Sequence, residues 1–344
     1  MRIVLLAGFI GLVVSSLCAQ DKHFTQFYAA PLYLNPALTG AFEGTYRVGA
    51  IYRDQWRKVL DNPIQSFAVG ADLRFRSRGK SVYDDAFGLG LQFFHDKVNV
   101  VDFSTTQIAV SGAYHKSLGA NNRHYLSLGL QGGLTQRNVN YESLNFHDEF
   151  DGVTGYVLPT GELLPPNNFS YIDLNTGLNY TARFGRYGAF FGGLGLHHIS
   201  QPIVSFFENE EKGDKLYRKY SAQLSANIPL TENNRVALTP RLLWAAQGPH
   251  MEINTGSNIR FALGEYGASA LHLGGWTRFV RNDTDTGVDA FVAMAGFELN
   301  GVLLGLSYDL NTTALSQGQR QTAFEVSVVY LGNYENEEIL CPKF

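Results

Sequence analysis

Along residues 171–184, YIDLNTGLNYTARF, apolar and polar positions alternate one by one. Ile172, Leu174, Thr176, Leu178, Tyr180, Ala182 and Phe184 share one parity, and Tyr171, Asp173, Asn175, Gly177, Asn179, Thr181 and Arg183 share the other. A period of two marks a β-strand with two different faces. Gly185-Arg186-Tyr187-Gly188 then turns the chain, and a glycine-rich strand returns through Phe190, Leu194, Leu196 and His198. The polar face carries Asp, Asn and Arg, so it does not build an ordinary soluble core. The same hairpin recurs with variations along the chain.

After an irregular start at 20–40, alternating stretches cover 45–56, 64–75, 86–95, 103–118 and 124–138. They continue at 170–184, 188–200, 217–230, 235–246 and 251–263, and finish at 269–278, 289–299, 302–310 and 322–331. That pattern predicts about fourteen strands, an even number as bacterial outer-membrane barrels require. Connections after even-numbered strands are mostly tight (119–122, 185–186, 232–234, 264–266, 300–301). Those after odd-numbered strands tend to be longer (141–168, 201–216, 279–288, 311–321). Short periplasmic turns alternating with long external loops belong to a transmembrane barrel, whereas a sandwich or propeller does not account for the alternation. The expected fold is therefore all-β, a transmembrane antiparallel up-and-down β-barrel over 45–331. In it the N- and C-termini are periplasmic and the long loops lie at the cell surface. The 76–84 connection is long for a periplasmic turn and fits least well.

Composition sharpens this class. The 344 residues include 36 Gly, 24 Phe and 18 Tyr but only 3 Met, with 17% charged, which suits extended strands with aromatic girdles. A mean hydropathy of -0.10 without a later long apolar run excludes helical spans but not a barrel, whose strands average as half polar. Residues 1–19 read as a signal peptide: Arg2, an apolar run from Ile3 to Val14, then Ser15, Ser16, Cys18 and Ala19. Cleavage after Ala19 removes one positive charge and takes the formal net charge from -4 to -5. No basic run is dense enough for a phosphate-binding face, so nucleic acid is not an expected partner. Lipidation at Cys18 is disfavoured by bulky Leu17, and loss of Cys18 leaves Cys341 without an intramolecular disulfide partner.

Five stretches stand out together: residues 20–40 (QDKHFTQFYAAPLYLNPALTG, with its Asn-Pro-Ala), 52–63 (YRDQWRKVLDNP), the hairpin 171–202 with Asp173, Gly177, His198 and Pro202, LYRKY at 216–220 and CPKF at 341–344. In this order they resemble the PorP/SprF family, membrane proteins of the Bacteroidota type IX secretion system. The resemblance implies an outer-membrane barrel that helps export and anchor surface cargo, such as a gliding adhesin with a type B C-terminal domain. It also implies links to periplasmic ring or motor components. A rival reading is a diffusion channel or transporter for hydrophobic small molecules, its route lined by Asp173, Asn175, Asn179 and Arg183.

Three regions are candidate partner-binding sites. Residues 20–44 form an irregular segment with Phe24, Phe27, Tyr28, Tyr33, Asn35 and Pro36; Pro31 and Pro36 prevent regular structure, and so many apolar groups seek burial. It is read as a plug folded into the barrel, or as a gate or docking strip. The long loops at 141–168 and 201–216 offer Phe146, Phe150, Tyr156, Phe206 and Phe207 to cargo. The tail at 332–344 is acidic (Glu335, Glu337, Glu338) and carries Cys341 and Phe344, a docking peptide or a cap on the barrel. Asp54, Trp56, Arg57 and Lys58 read as part of an interfacial girdle.

No enzyme is expected. The chain has no G-x-S-x-G elbow, P-loop or H-E-x-x-H, and no cofactor motif. His197-His198 is the most tempting metal pair, but adjacent strand residues face opposite sides. His147, Asp148, Glu149 and Asp151 lack the regular spacing of a dedicated calcium loop.

Overall fold

Alternation along each strand is realised as one sheet closed on itself. The computed structural model describes residues 23–57, 63–76, 84–119, 121–207, 215–263, 269–281, 286–312 and 322–333. Its strands are β1 (Tyr46–Gln55), β2 (Ile64–Arg76), β3 (Ala86–Val98), β4 (Phe103–Ser117), β5 (His124–Val139), β6 (Asn168–Phe184) and β7 (Gly188–His197). They continue as β8 (Lys219–Pro229), β9 (Val236–Gln247), β10 (His250–Leu263), β11 (Ser269–Arg281), β12 (Thr286–Leu299), β13 (Val302–Asn311) and β14 (Thr322–Gly332). Each pairs antiparallel with its sequence neighbours, and β1 pairs with β14 from Tyr46↔Gly332 to Gln55↔Ala323 to close the barrel. Closure joins the first strand to the last, so the sheet has no free edge strand where it crosses hydrocarbon.

Burial is inverted relative to a water-soluble barrel. In β5 the outward Leu126, Leu128, Leu130 and Leu134 are exposed, while Ser127, Gln131 and Thr135 between them are buried. Polar and charged groups therefore fill the lumen and apolar groups meet lipid, as in transmembrane barrels. Tyr46–Tyr330, Phe87–Tyr114 and His124–Tyr180 ring pairs, with centroids 5.8, 4.9 and 6.2 Å apart, girdle the rim of the short turns.

The two rims differ as the connection lengths require. The 140–167 and 198–218 loops share one rim, and Asn300-Gly301, at φ 49° and 82°, makes a two-residue turn at the other. Two expectations are corrected in detail. The connection expected at 279–288 is mostly strand, since β11 runs to Arg281 and β12 starts at Thr286 with a register shift at Arg278/Phe279. The connection after β9 is two residues, Gly248 and Pro249, at the long-loop rim.

The lipid face gives a direct test. Leu130, 63% exposed near the middle of β5, should tolerate arginine poorly: Leu130→Arg is expected to cost about 2–4 kcal/mol, the depth-dependent penalty at mid-bilayer. Folding titrations into lipid vesicles measure it.

Candidate functional site

The polar lumen is crossed by the chain's own start. From His23 the chain descends from the long-loop end to the short-turn rim, where β1 begins. His23 Nδ1 lies 3.3 Å from Glu252, near the β9–β10 turn. The expectation placed both termini on the short-turn side. The end of β14 lies there, but residue 23 sits at the opposite end of the lumen, because the segment folds back up inside the barrel. It contains a 3-10 turn (Phe27–Ala29), one helical turn (Pro31–Leu34) and a second 3-10 turn (Pro36–Leu38).

Its upper end is held by a buried ionic cluster. Glu325 of β14 accepts the Thr25 and Gln26 backbone N–H groups at 2.7 and 2.8 Å. The Thr25 hydroxyl donates to Asp309 at 2.8 Å and accepts from Arg53 at 2.8 Å and Arg278 at 3.0 Å. Arg53 pairs with both Glu325 and Asp309, and Arg278 pairs with Asp309 at 2.9 Å and Asp289 at 2.7 Å. Gln26 bridges Ser307 and Ser327, donating to the first at 3.1 Å and accepting from the second at 2.7 Å. Breaking one partner of such a buried pair typically costs about 3–5 kcal/mol, because the other charge stays buried and uncompensated.

The lower half is fitted to missing side chains. Asn35, fully buried, caps the Pro36–Leu38 turn by accepting from Ala37 N at 2.9 Å. Its amide donates to the carbonyls of Leu178 in β6 and Leu194 in β7 at 3.1 and 3.2 Å. This approach requires glycine in the wall. A Cβ at Gly177 would overlap the Asn35 side chain, one at Gly129 the Pro36 carbonyl, and one at Gly88 the Thr39 carbonyl. Thr39 donates to Ser111 at 2.8 Å, His115 lies 2.8 Å from the Thr39 carbonyl, and Asp72 accepts from Gly40 N at 2.7 Å.

Aromatic groups fill the rest. Tyr33 stacks on Phe94 with centroids 5.2 Å apart, and Phe24 meets both edge-on. Tyr28 stacks on Trp276 and lies under the Arg241 guanidinium, 4.0 Å from the ring centroid. Below Tyr28 opens a cavity of about 500 Å³ that reaches the short β4–β5 and β6–β7 turns. A smaller one of about 70 Å³ lies on the other side of Tyr33, lined by Arg137, Asp173, His197, His198 and Lys219.

The candidate residues fall into three environments. Phe24, Phe27, Asn35 and Pro36 are buried and Tyr28 and Tyr33 half-buried, so a partner could reach this strip only if the segment left its seat. Phe150 and Tyr156 pair through a β-bridge, ring centroids 5.4 Å apart, and both stay exposed, whereas Phe146 is half-buried. Phe206 packs on Phe169 at 4.8 Å and Phe103 at 6.3 Å, leaving Phe207, 64% exposed, as the outward member of its pair. Cys341 and Phe344 lie outside the described residues.

The long loop is braced by its aspartates. Asp148 accepts from Gly161 N at 2.6 Å and Thr160 Oγ1 at 3.0 Å; Asp151 accepts from the Thr154 hydroxyl and the N–H groups of Val153, Thr154 and Gly155. Both carboxylates thus serve turns within the loop itself. Gly161 N–H holds the Asp148 carboxyl below the usual range, and the Thr154 hydroxyl, with the turn N–H groups, does the same for Asp151. Leu163, 97% exposed, and Val153, 87% exposed, project from the same loop.

Strict alternation fails at His197-His198. His197 and His198 are both buried in the lumen, rings 6.4 Å apart, because β7 ends at His197 and His198 takes φ 57°. His198 pairs with Asp173 at 2.8 Å, and its backbone N–H donates to Asn175. Among the described residues no group of three or more His, Cys, Asp or Glu is placed to hold a metal ion. Sequence reasoning missed Arg53, Arg278, Asp309 and Glu325. All four stand at lumen parity in their strands, a signal visible once the faces are assigned.

The family model described as "Type IX secretion system membrane protein PorP/SprF" matches residues 16–330. No curated protein matches the chain. Among solved structures it is similar to a deltaS2 mutant of the TodX monoaromatic hydrocarbon channel, at 11% identity and TM-score 0.50, covering 89% of this chain and 94% of that one. The CymD monoaromatic hydrocarbon channel is similar at 10% identity and TM-score 0.50, covering 90% and 94%. The Pseudomonas putida toluene transporter TodX follows at 14% identity and TM-score 0.48, covering 87% and 92%. At these identities the likeness is one of fold.

Two outcomes are expected. Gly177→Val should unseat Asn35 and remove hydrogen-exchange protection across residues 24–39 while the barrel stays heat-modifiable on gels; exchange mass spectrometry reads the change. Because Asp148 and Asp151 are depressed in the folded loop, their stabilisation is present above the ordinary aspartate range and lost as pH falls through their lowered values. Protease cleavage within 144–164 should therefore be slow at pH 7 and accelerate below about pH 4. An acid-active protease at matched activity measures it, with Asp151→Asn removing most of the difference.

Proposed function

Because the chain belongs to the PorP/SprF family of type IX secretion system membrane proteins, we propose that it is a non-enzymatic outer-membrane barrel that helps export and anchor a surface cargo protein. A gliding adhesin with a type B C-terminal domain is the kind of cargo meant, with periplasmic ring or motor components engaged from the other side. The signal peptide is cut near Ala19, the short turns face the periplasm, and the long loops face outward. Phe150, Tyr156 and Phe207 with Leu163 then form the cargo-facing apolar set. Buried aromatic anchors give the slow dissociation that anchoring needs, more than scattered charge does.

The observation that carries this reading is the seated inner segment. Thr25, Gln26, Asn35 and Thr39 are tied to β4, β6, β7, β13 and β14 by hydrogen bonds inside the lumen. A barrel filled in this way favours holding partners at its two ends over passing solutes. The cavity of about 500 Å³ supports a second reading, a diffusion channel for hydrophobic small molecules, as the names TodX and CymD suggest for their own proteins. That reading requires the inner segment to move.

Affinity purification of the tagged barrel from native outer membranes in gentle detergent separates the two. The anchoring reading expects a large surface protein or periplasmic ring proteins in stoichiometric amount, with the surface protein lost when 144–164 is replaced by a short Gly-Ser linker. A partner-free barrel with solute-dependent conductance would replace it with the channel.

A further inference from the structure

The large cavity under Tyr28 is basic. Arg74 from β2, Arg123 from the β4–β5 turn, Arg183 from β6, Arg186 from the β6–β7 turn and Arg241 from β9 line it, against one carboxylate, Glu43. The inner arginines are committed: Arg183 pairs with Glu43, Arg241 bonds Asn258 and covers Tyr28, and Arg74 donates to the Phe42 carbonyl at 2.8 Å. Arg123 and Arg186 are exposed on the turns at the mouth. His115 and His272 also border the chamber, and the neighbouring Glu298 is paired with Arg260 at 2.9 Å. Phe42, Met294 and Leu303 add an apolar side. A cavity of this size with both features suits an anionic ligand that has apolar groups.

The described chain leaves the barrel beside this mouth. Gly332 accepts from Thr45 N at 2.9 Å at the short-turn rim, directly after Phe42 and Glu43 of the cavity lining. The residues that follow, 334–344, read YENEEILCPKF, with Glu335, Glu337 and Glu338 against Lys343. Fully extended, that stretch reaches roughly 35 Å, enough to turn back over the rim into the cavity.

We infer that residues 334–344 dock in the arginine-lined cavity, with the glutamates at Arg123 and Arg186 of its mouth and Ile339-Leu340 on the apolar side. Charge complementarity, the shared rim and the reach of the chain all point to this occupant. The inference goes beyond the secretion reading and is independent of it, since tail and cavity share a rim whichever way the barrel faces. A tether this short gives an effective concentration on the order of millimolar, so the chain's own tail outcompetes dilute acidic peptides.

The test uses purified barrel in detergent, full-length and ending at Asn333, with a fluorescein-labelled peptide of residues 334–344 followed by anisotropy. The truncated barrel should bind the peptide saturably, and the full-length barrel at least tenfold more weakly. Arg123→Ala/Arg186→Ala in the truncated barrel should weaken binding tenfold or more, as should raising salt from 0.05 to about 0.5 M, where charges are screened within a few ångströms. Both arginines are exposed, and retained heat-modifiability verifies folding of the variant. Absence of saturable binding to the truncated barrel would overturn the inference and leave the cavity to a partner's acidic segment. So would equal binding by both barrels, or binding indifferent to the two arginines.

Discussion

Two carboxylates in the lumen organise this protein. Glu325 and Asp309 lie in a space already stripped of bulk water, and each is held by Arg53 or Arg278 and by the start of the inner segment. Buried charge is tolerated only when paired and hydrogen-bonded. Here the backbone N–H groups of Thr25 and Gln26 complete that pairing, so the segment is a structural part of the cluster. Everything below it follows. With its upper end fixed, the chain must pass the wall at Gly177, Gly129 and Gly88, and those positions lack side chains where it passes.

The resulting lumen is divided. On the long-loop side a cavity of about 70 Å³ lies beside Tyr33, while on the short-turn side a basic chamber of about 500 Å³ stays open. An inner segment tied at Thr25, Asn35 and Thr39 to strands around much of the circumference is a brace as well as an obstruction. It links the walls of a fourteen-stranded barrel whose polar interior would otherwise be stabilised only by water and neighbouring side chains.

Much of this was legible in the sequence because membrane barrels have few degrees of freedom. A period of two with one apolar face, repeated with alternating connection lengths, leaves little besides a closed meander, and all fourteen strands fall near their expected places. Strand ends were less legible. β11 and β12 continue beyond the periodic signal because pairing persists through an irregularity at Arg278/Phe279. His198 escaped the rule of opposite faces because a left-handed residue directly after a strand resets the alternation. The cluster of Arg53, Arg278, Asp309 and Glu325 draws on four strands up to 272 residues apart, and periodicity assigns faces without heights. The Asn-Pro-Ala stretch could be noticed in sequence, but its purpose, an amide reaching two wall carbonyls over glycine, needed the register of β6 against β7.

The seam between β1 and β14 bears on how the molecule is made. Arg53 belongs to the first strand and Glu325 to the last, and their ion pair crosses the line along which the cylinder shuts. Until the final hairpin arrives, Thr25 and Gln26 lack their acceptor, and Arg53 lacks its nearest counter-charge. Sealing the wall and completing the upper anchor of the inner segment are thus one event. A chain stalled before its last strand would carry an unneutralised guanidinium beside an open sheet edge, a state that assembly factors could distinguish from the finished product.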